Sequence, residues 1–200
     1  KFHSGSQRPP QNDTEEVISN IAEKITSIPI TAMLRAKQLC TLPELIKPQI
    51  EKLYETNLID EGEFNTLNKI LTQNSKMKEV VNTLVQRKDN NAPKIVFCQF
   101  RGEIDYLSQK LRDNGIENQF YDGRTTEEDR HKILTETYPV LILQMQTACE
   151  GINLQQYQEI YFVTPSWNPA LEDQAVARCH RIGQTKPVQV FRFYMKSFPD

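Results

Sequence analysis

The chain has 200 residues, of which 38% are hydrophobic and 25% charged, and its formal net charge is −2 at pH 7. That length suffices for one well-packed domain with additional helices. The longest apolar runs, at 140–143 and 160–163, are far too short to cross a bilayer, and the polar first eleven residues lack the apolar stretch of a signal peptide.

Residues 1–30 are expected to form a flexible or helical N-terminal extension. Within it, 15–28 carries Val17, Ile18, Ile21, Ala22 and Ile25 at helical spacing, with Asp13 or Thr14 as a cap and Pro29 as its end. Residues 31–39 repeat the pattern with Met33, Leu34 and Leu39, and Pro43 and Pro48 then act as punctuation. Helices are expected over 61–71 and 75–85; Ser75 and Glu79 stand near capping-box spacing without meeting it. A boundary near Asn90 separates this helical part, 31–90, from an alternating part, 91–200.

The alternating part starts with an apolar strand at 94–100 and a helix at 102–113 that puts Ile104, Leu107 and Leu111 on one side. A strand at 119–121 and a helix at 125–137 follow. Thr125 or Thr126 caps that helix, and Glu127, Glu128 and Asp129 complement its first turn. Strands at 139–143 and 159–164, a helix at 169–181 begun by Pro169, and a strand at 188–194 complete the series. Strands that are apolar on both faces and alternate with helices define an α/β fold: a mostly parallel sheet flanked by helices on both faces, with an N-terminal helical extension. Such sheets bind ligands at the carboxyl ends of their strands, which singles out the loops after Phe100, Tyr121, Gln144 and Thr164. The cysteines at 40, 98, 149 and 179 form no CxxC pair and no zinc-ligand spacing, so the reading is a reduced intracellular protein without a metal site.

The strongest local feature is the run Gln174-Ala-Val-Ala-Arg178-Cys-His-Arg181-Ile-Gly-Gln184. On a helix, Gln174, Arg178 and Arg181 project within roughly 60° of one another, while Leu171, Ala175, Cys179 and Ile182 fall on an adjoining face that can pack on the sheet. Each guanidinium is a planar, permanently charged fork that matches phosphate oxygens. By spacing alone a helix laced with surface arginines explains the run equally simply. Residues 174–199 also hold five basic side chains (Arg178, Arg181, Lys186, Arg192, Lys196) and no acidic one.

What surrounds that run is specific. Residues 165–193, PSWNPALEDQAVARCHRIGQTKPVQVFRF, resemble the end of the motor domain in Swi/Snf-family helicase-like ATPases, with its DWNP…QAxxRxHRIGQ signature and trailing strand. Upstream, Lys94-Ile-Val-Phe-Cys-Gln-Phe100 resembles the family's motif IV with Cys98 in place of serine, and Tyr121-Asp-Gly-Arg124 with Arg130 resembles its DG(S/R)…R stretch. Residues 143–154 resemble motif V: Gly151, Asn153 and Leu154 match, Ala148-Cys149 replaces a double glycine, and Gln146 replaces a lysine. Met33 to Pro43 and Ser75-Lys76 resemble the segments that lead into the second lobe.

The resemblance implies a RecA-like lobe over 91–200 and a full-length DNA-dependent ATPase. It implies that Arg178 and Arg181 are arginine fingers toward ATP held on a first lobe, with Gln174, Gly151 and Asn153 also at the nucleotide. Gln99, Phe100, Arg101, Gly123, Arg124, Gln146, Thr147 and Trp167 are implied contacts to double-stranded DNA, free or nucleosomal. ATP and Mg²⁺ would be held mainly by the first lobe, because the chain has neither a GxxxxGK(S/T) loop nor an Asp-Glu-x-His pair, and the fragment alone is expected to hydrolyse no ATP. A nuclear location follows from the family, with viral or bacterial cytoplasm as alternatives. A degenerate lobe that only binds DNA or a protein is the competing reading, motivated by the altered motif V.

Overall fold

A computed structural model describes residues 29–149 and 152–195. The expected helix at 15–28 and the family residue Gly151 lie outside the described residues.

Helix α1 spans Pro29–Thr41, and a 3-10 turn follows at Pro43–Ile46. Helix α2, Lys47–Glu55, occupies a stretch in which Pro43 and Pro48 had suggested only breaks. Proline is compatible with a first turn, where its missing N–H leaves no helical bond unmade, and Pro48 takes that place. Helix α3, Glu61–Leu71, is closed by a full capping box: the Asp60 carboxylate accepts from the Glu63 N–H and the Glu63 carboxylate from the Asp60 N–H. These segments bury Ile46, Ile50, Leu53, Ile59, Leu67 and Leu71 in a small core of their own.

Helix α4 is Ser75–Gln86, and five parallel strands follow: β1 Lys94–Cys98, β2 Asn118–Tyr121, β3 Val140–Gln144, β4 Glu159–Phe162 and β5 Gln189–Arg192. Their spatial order is β2-β3-β1-β4-β5. Helix α5, Arg101–Asp113, connects β1 to β2; α6, Glu127–Thr135, connects β2 to β3; α7, Pro169–Cys179, connects β4 to β5. The Thr126 hydroxyl caps α6 and the Asn168 side chain caps α7, each accepting a backbone N–H.

Alternate residues along each strand feed two cores. Val96, Cys98, Val140, Ile142 and Tyr161 pack with Met77, Val80 and Leu84 of α4 and Ile104, Leu107 and Leu111 of α5. Ile95, Phe97, Leu141, Leu143, Ile160 and Phe162 pack with Ile133 of α6 and Ala175 and Cys179 of α7. The sheet is therefore covered on both faces, and α4, though upstream of the first strand, is part of its core.

Candidate functional site

Parallel strands need crossover helices that return the chain from the carboxyl end of the sheet to the amino end. The loops after β1, β2, β3 and β4 therefore gather at the carboxyl edge, while α7 carries its own C-terminus back toward the amino edge. The sequence-selected residues divide accordingly into two groups.

At the carboxyl edge, Glu103 holds the loop after β1. Its Oε2 accepts the N–H groups of Gln99 (2.8 Å) and Phe100 (3.0 Å), and its Oε1 accepts the Thr164 hydroxyl at 3.1 Å. Thr164 is in turn 2.9 Å, hydroxyl to hydroxyl, from Thr41 of α1. Glu103 is fully buried, and desolvation pushes its carboxyl up to about 7 against the opposing pull of those hydrogen bonds and of Lys76. Cys98, in the position where the family has serine, is also fully buried, and burial raises its thiol well above the ordinary range. The motif IV strand thus presents Gln99, Phe100 and Arg101 without any contribution from Cys98.

The loop after β2 is a compact charge cluster. Asp122 is fully buried, yet hydrogen bonds and the charge of Arg124 outweigh desolvation and keep its carboxyl below the usual range. The Arg124 guanidinium also pairs with Asp105 of α5 at 2.8 and 3.1 Å. Arg130 donates to the Thr125 carbonyl and lies over the Tyr121 ring. Arg124, which the resemblance placed beside DNA, and Arg130 of the same stretch are therefore both engaged within the fold. Arg101 differs: it is exposed, makes no ion pair or hydrogen bond through its side chain among the described residues, and places a guanidinium nitrogen 3.0 Å from where a Cβ on Gly123 would stand.

After β3, residues Met145–Cys149 form a 3-10 turn. The buried Thr147 donates its hydroxyl to the Gln144 carbonyl at 2.6 Å, leaving Gln146 as the exposed polar side chain of the pair. After β4, Trp167 is 44% exposed, so it does not anchor the loop to the core. The Lys37 ammonium of α1 sits 4.7 Å from its ring centroid and donates to the Pro165 carbonyl at 2.8 Å. Glu172 secures the same loop by accepting the Ser166 N–H and the Arg192 side chain. None of these ties was legible as a motif; those of Lys37 to Pro165 and of Arg192 to Glu172 join residues distant in sequence.

At the other end of α7 stand the arginines. Arg178 is on the last helical turn and half-buried, and Gln174 is exposed on the same helix. Arg181 is not on the helix, contrary to the sequence reading: α7 ends at Cys179, and His180 leaves helical geometry at φ −92°, ψ 76°. Ile182, expected to pack on the sheet with Ala175 and Cys179, is fully exposed. Gly183, at φ +107°, supplies the left-handed backbone that turns the chain there. Asn153 is exposed and its side-chain oxygen accepts the Gln155 N–H at 3.3 Å. The guanidinium groups of Arg178 and Arg181 have no hydrogen-bond or ion-pair partner among the described residues, whereas those of Arg87, Arg124 and Arg192 are paired.

Among the described residues no group of three or more His, Cys, Asp or Glu side chains is placed to hold a metal ion, and no helix is long and apolar enough to cross a membrane.

A five-stranded parallel sheet covered on both faces, carrying these motifs in this order, defines the second RecA-like lobe of a helicase-like ATPase. Residues 75–183 match the family model described as helicase conserved C-terminal domain. The chain belongs to that family, with the Swi/Snf-type helicases as its relatives. It is 33% identical over 131 residues to the DNA repair protein RAD5B of Arabidopsis thaliana, covering 62% of this chain and 10% of that one. It is 38% identical over 124 residues to the helicase SWR1 of Saccharomyces cerevisiae, covering 59% of this chain and 8% of that one. An uncharacterised ATP-dependent helicase of Mycoplasma pneumoniae is 30% identical over 188 residues, 91% of this chain and 16% of that one. The chain thus spans between 8% and 16% of the length of these relatives. A solved structure, the C-terminal part of the Fun30 ATPase domain, shares the fold with a TM-score of 0.58 at 20% identity, over 92% of this chain and 62% of that one.

Proposed function

We propose that this chain is the second lobe of an ATP-driven double-stranded DNA translocase of the chromatin-remodelling or DNA-repair type. In this reading Arg178 and Arg181 act as fingers that complete a nucleotide site whose phosphate loop, Mg²⁺ ligands and ATP belong to a first lobe. The observation that carries it is the pair of guanidinium groups at one end of α7 without a partner among the described residues, in a fold where Arg87, Arg124 and Arg192 are engaged. A permanent charge left unpaired by its own fold is available to an anion arriving from outside.

The chemistry fits. Phosphoryl transfer requires stabilisation of charge on the equatorial oxygens, and a finger supplied across an interface accelerates it by roughly 10³ to 10⁵. Supplying the fingers from a separate lobe makes hydrolysis depend on lobe closure. Phosphate-backbone contacts from Arg101, Gln99, Gln146 and Trp167 at the carboxyl edge would be sequence-blind and salt-sensitive. In this reading the full-length motor works in the nucleus, with viral or bacterial cytoplasm as alternatives, on naked or nucleosomal DNA.

The test is Arg178→Ala and Arg181→Ala in the full-length protein. Each is expected to lower DNA-stimulated turnover by at least about tenfold while DNA affinity changes little. Normal turnover in both single variants would refute the assignment and favour a lobe that binds without driving.

A further inference from the structure

The end of α7 raises a mechanical difficulty. Arg181 lies beyond the helix, so no helical hydrogen bond fixes its backbone, and the large apolar residue of its turn, Ile182, faces solvent and anchors nothing. What holds the turn is a set of polar ties to the loop that leads into β4. The Gln155 side-chain amide donates to the Ile182 carbonyl at 2.8 Å. The Gln184 amide donates back to the Gln155 carbonyl at 2.7 Å and to the Tyr157 carbonyl at 3.4 Å. The Gln184 N–H closes on the Arg181 carbonyl at 3.0 Å, and the Leu154 N–H donates to the Arg178 carbonyl at 3.2 Å. Gln155 is itself oriented by Asn153, and its side chain lies over Gly183, where a Cβ would meet its amide atoms at 3.8 Å.

We infer that Gln155 is a positioning residue for Arg181: its amide locks the turn after α7 and thereby sets where the second finger reaches. This rests on the finger assignment above. Leu154 and Gln155 together give both arginines one common backbone reference, so the two guanidinium groups are aimed as a unit. Near-attack geometry is demanding, and a displacement of about 1 Å costs up to roughly 10²-fold in rate.

The experiment uses the full-length protein with DNA-stimulated ATP hydrolysis as readout. Gln155→Met keeps the size of the side chain and removes its donor; Gln155→His supplies an N–H again. Gln155→Met is expected to lower kcat about tenfold, with the KM for ATP, the DNA affinity and the thermal midpoint held, and Gln155→His is expected to recover much of the loss. Combined with Arg181→Ala, Gln155→Met is expected to add nothing, since Gln155 ties the turn that carries Arg181 while Arg178 is held through the Leu154 N–H. The inference is overturned if Gln155→Met turns over normally while Arg181→Ala is slow, or if the two losses multiply. It is equally overturned if the KM for ATP rises while DNA affinity and the thermal midpoint fall, without rescue by histidine. Normal turnover of Arg181→Ala would instead sink the finger assignment, and the brace with it.

Discussion

Replacing Glu103 by glutamine tests the buried centre of the carboxyl edge. Burial raises the folded-state carboxyl from 4.5 to about 7. Between those values the folded chain therefore holds a proton that the unfolded chain has released. The contribution of Glu103 to stability is fully present below pH 4.5, falls as the pH rises through the window, and levels off above about 7. At 1.36 kcal/mol for each unit, the loss over the full window is roughly 3 kcal/mol. Lys76 and Cys98 are the other titratable groups that feel this charge. Glutamine mimics the protonated acid: its oxygen can accept the Gln99 and Phe100 N–H groups, and its amide can donate to Thr164. Urea unfolding of the 200-residue chain and its Glu103→Gln variant at pH 5 and pH 8 provides the assay. The wild type should lose about 2.5 kcal/mol more than the variant between the two conditions, because part of the window lies below pH 5. Parallel losses in the two proteins would refute the claim that a buried charge burdens the fold at neutral pH.

Other substitutions test other contacts. A Cβ on Gly102 would lie 2.2 Å from Cδ2 of Leu45, so Gly102→Ala should destabilise the chain by about 1–3 kcal/mol in chemical denaturation. Gly123→Ala should leave stability nearly unchanged but displace the Arg101 guanidinium, 3.0 Å away, and lower DNA affinity a few-fold at low salt, with the difference shrinking as salt is raised. Glu159 accepts from Arg87, Asn90 and Tyr161 and lies 3.8 Å from the Lys94 ammonium; Glu159→Ala should cost about 3–5 kcal/mol by thermal or urea unfolding.

Much of the architecture was legible because the sheet is apolar on both faces. Runs such as Ile95-Val-Phe-Cys98 have no exposed side, and Ile104, Leu107 and Leu111 marked the covering face of α5. Helix α2 was missed because two prolines read as breaks, although one of them occupies a first turn, where proline costs little. The end of α7 was misplaced because arginine spacing continued past Cys179; Gly183, two residues beyond Arg181, carried the signal that the backbone turns there. The pairing of Arg124 with Asp105 joins residues nineteen apart in sequence, and the Gln155 brace spans twenty-seven, so neither could emerge from local periodicity. Chemistry that depends on which cations remain unpaired was visible only once every partner had been placed.

Helix α7 is eleven residues long and about 16 Å from end to end. Its first turn is fastened to the Trp167 loop through Asn168 and Glu172, and its last turn bears Arg178. Between those ends Ala175 and Cys179 are fully buried against the sheet. The helix is thus a spacer of one length, and the loop that carries the indole cannot change its separation from the turn that carries the guanidinium without disturbing that core.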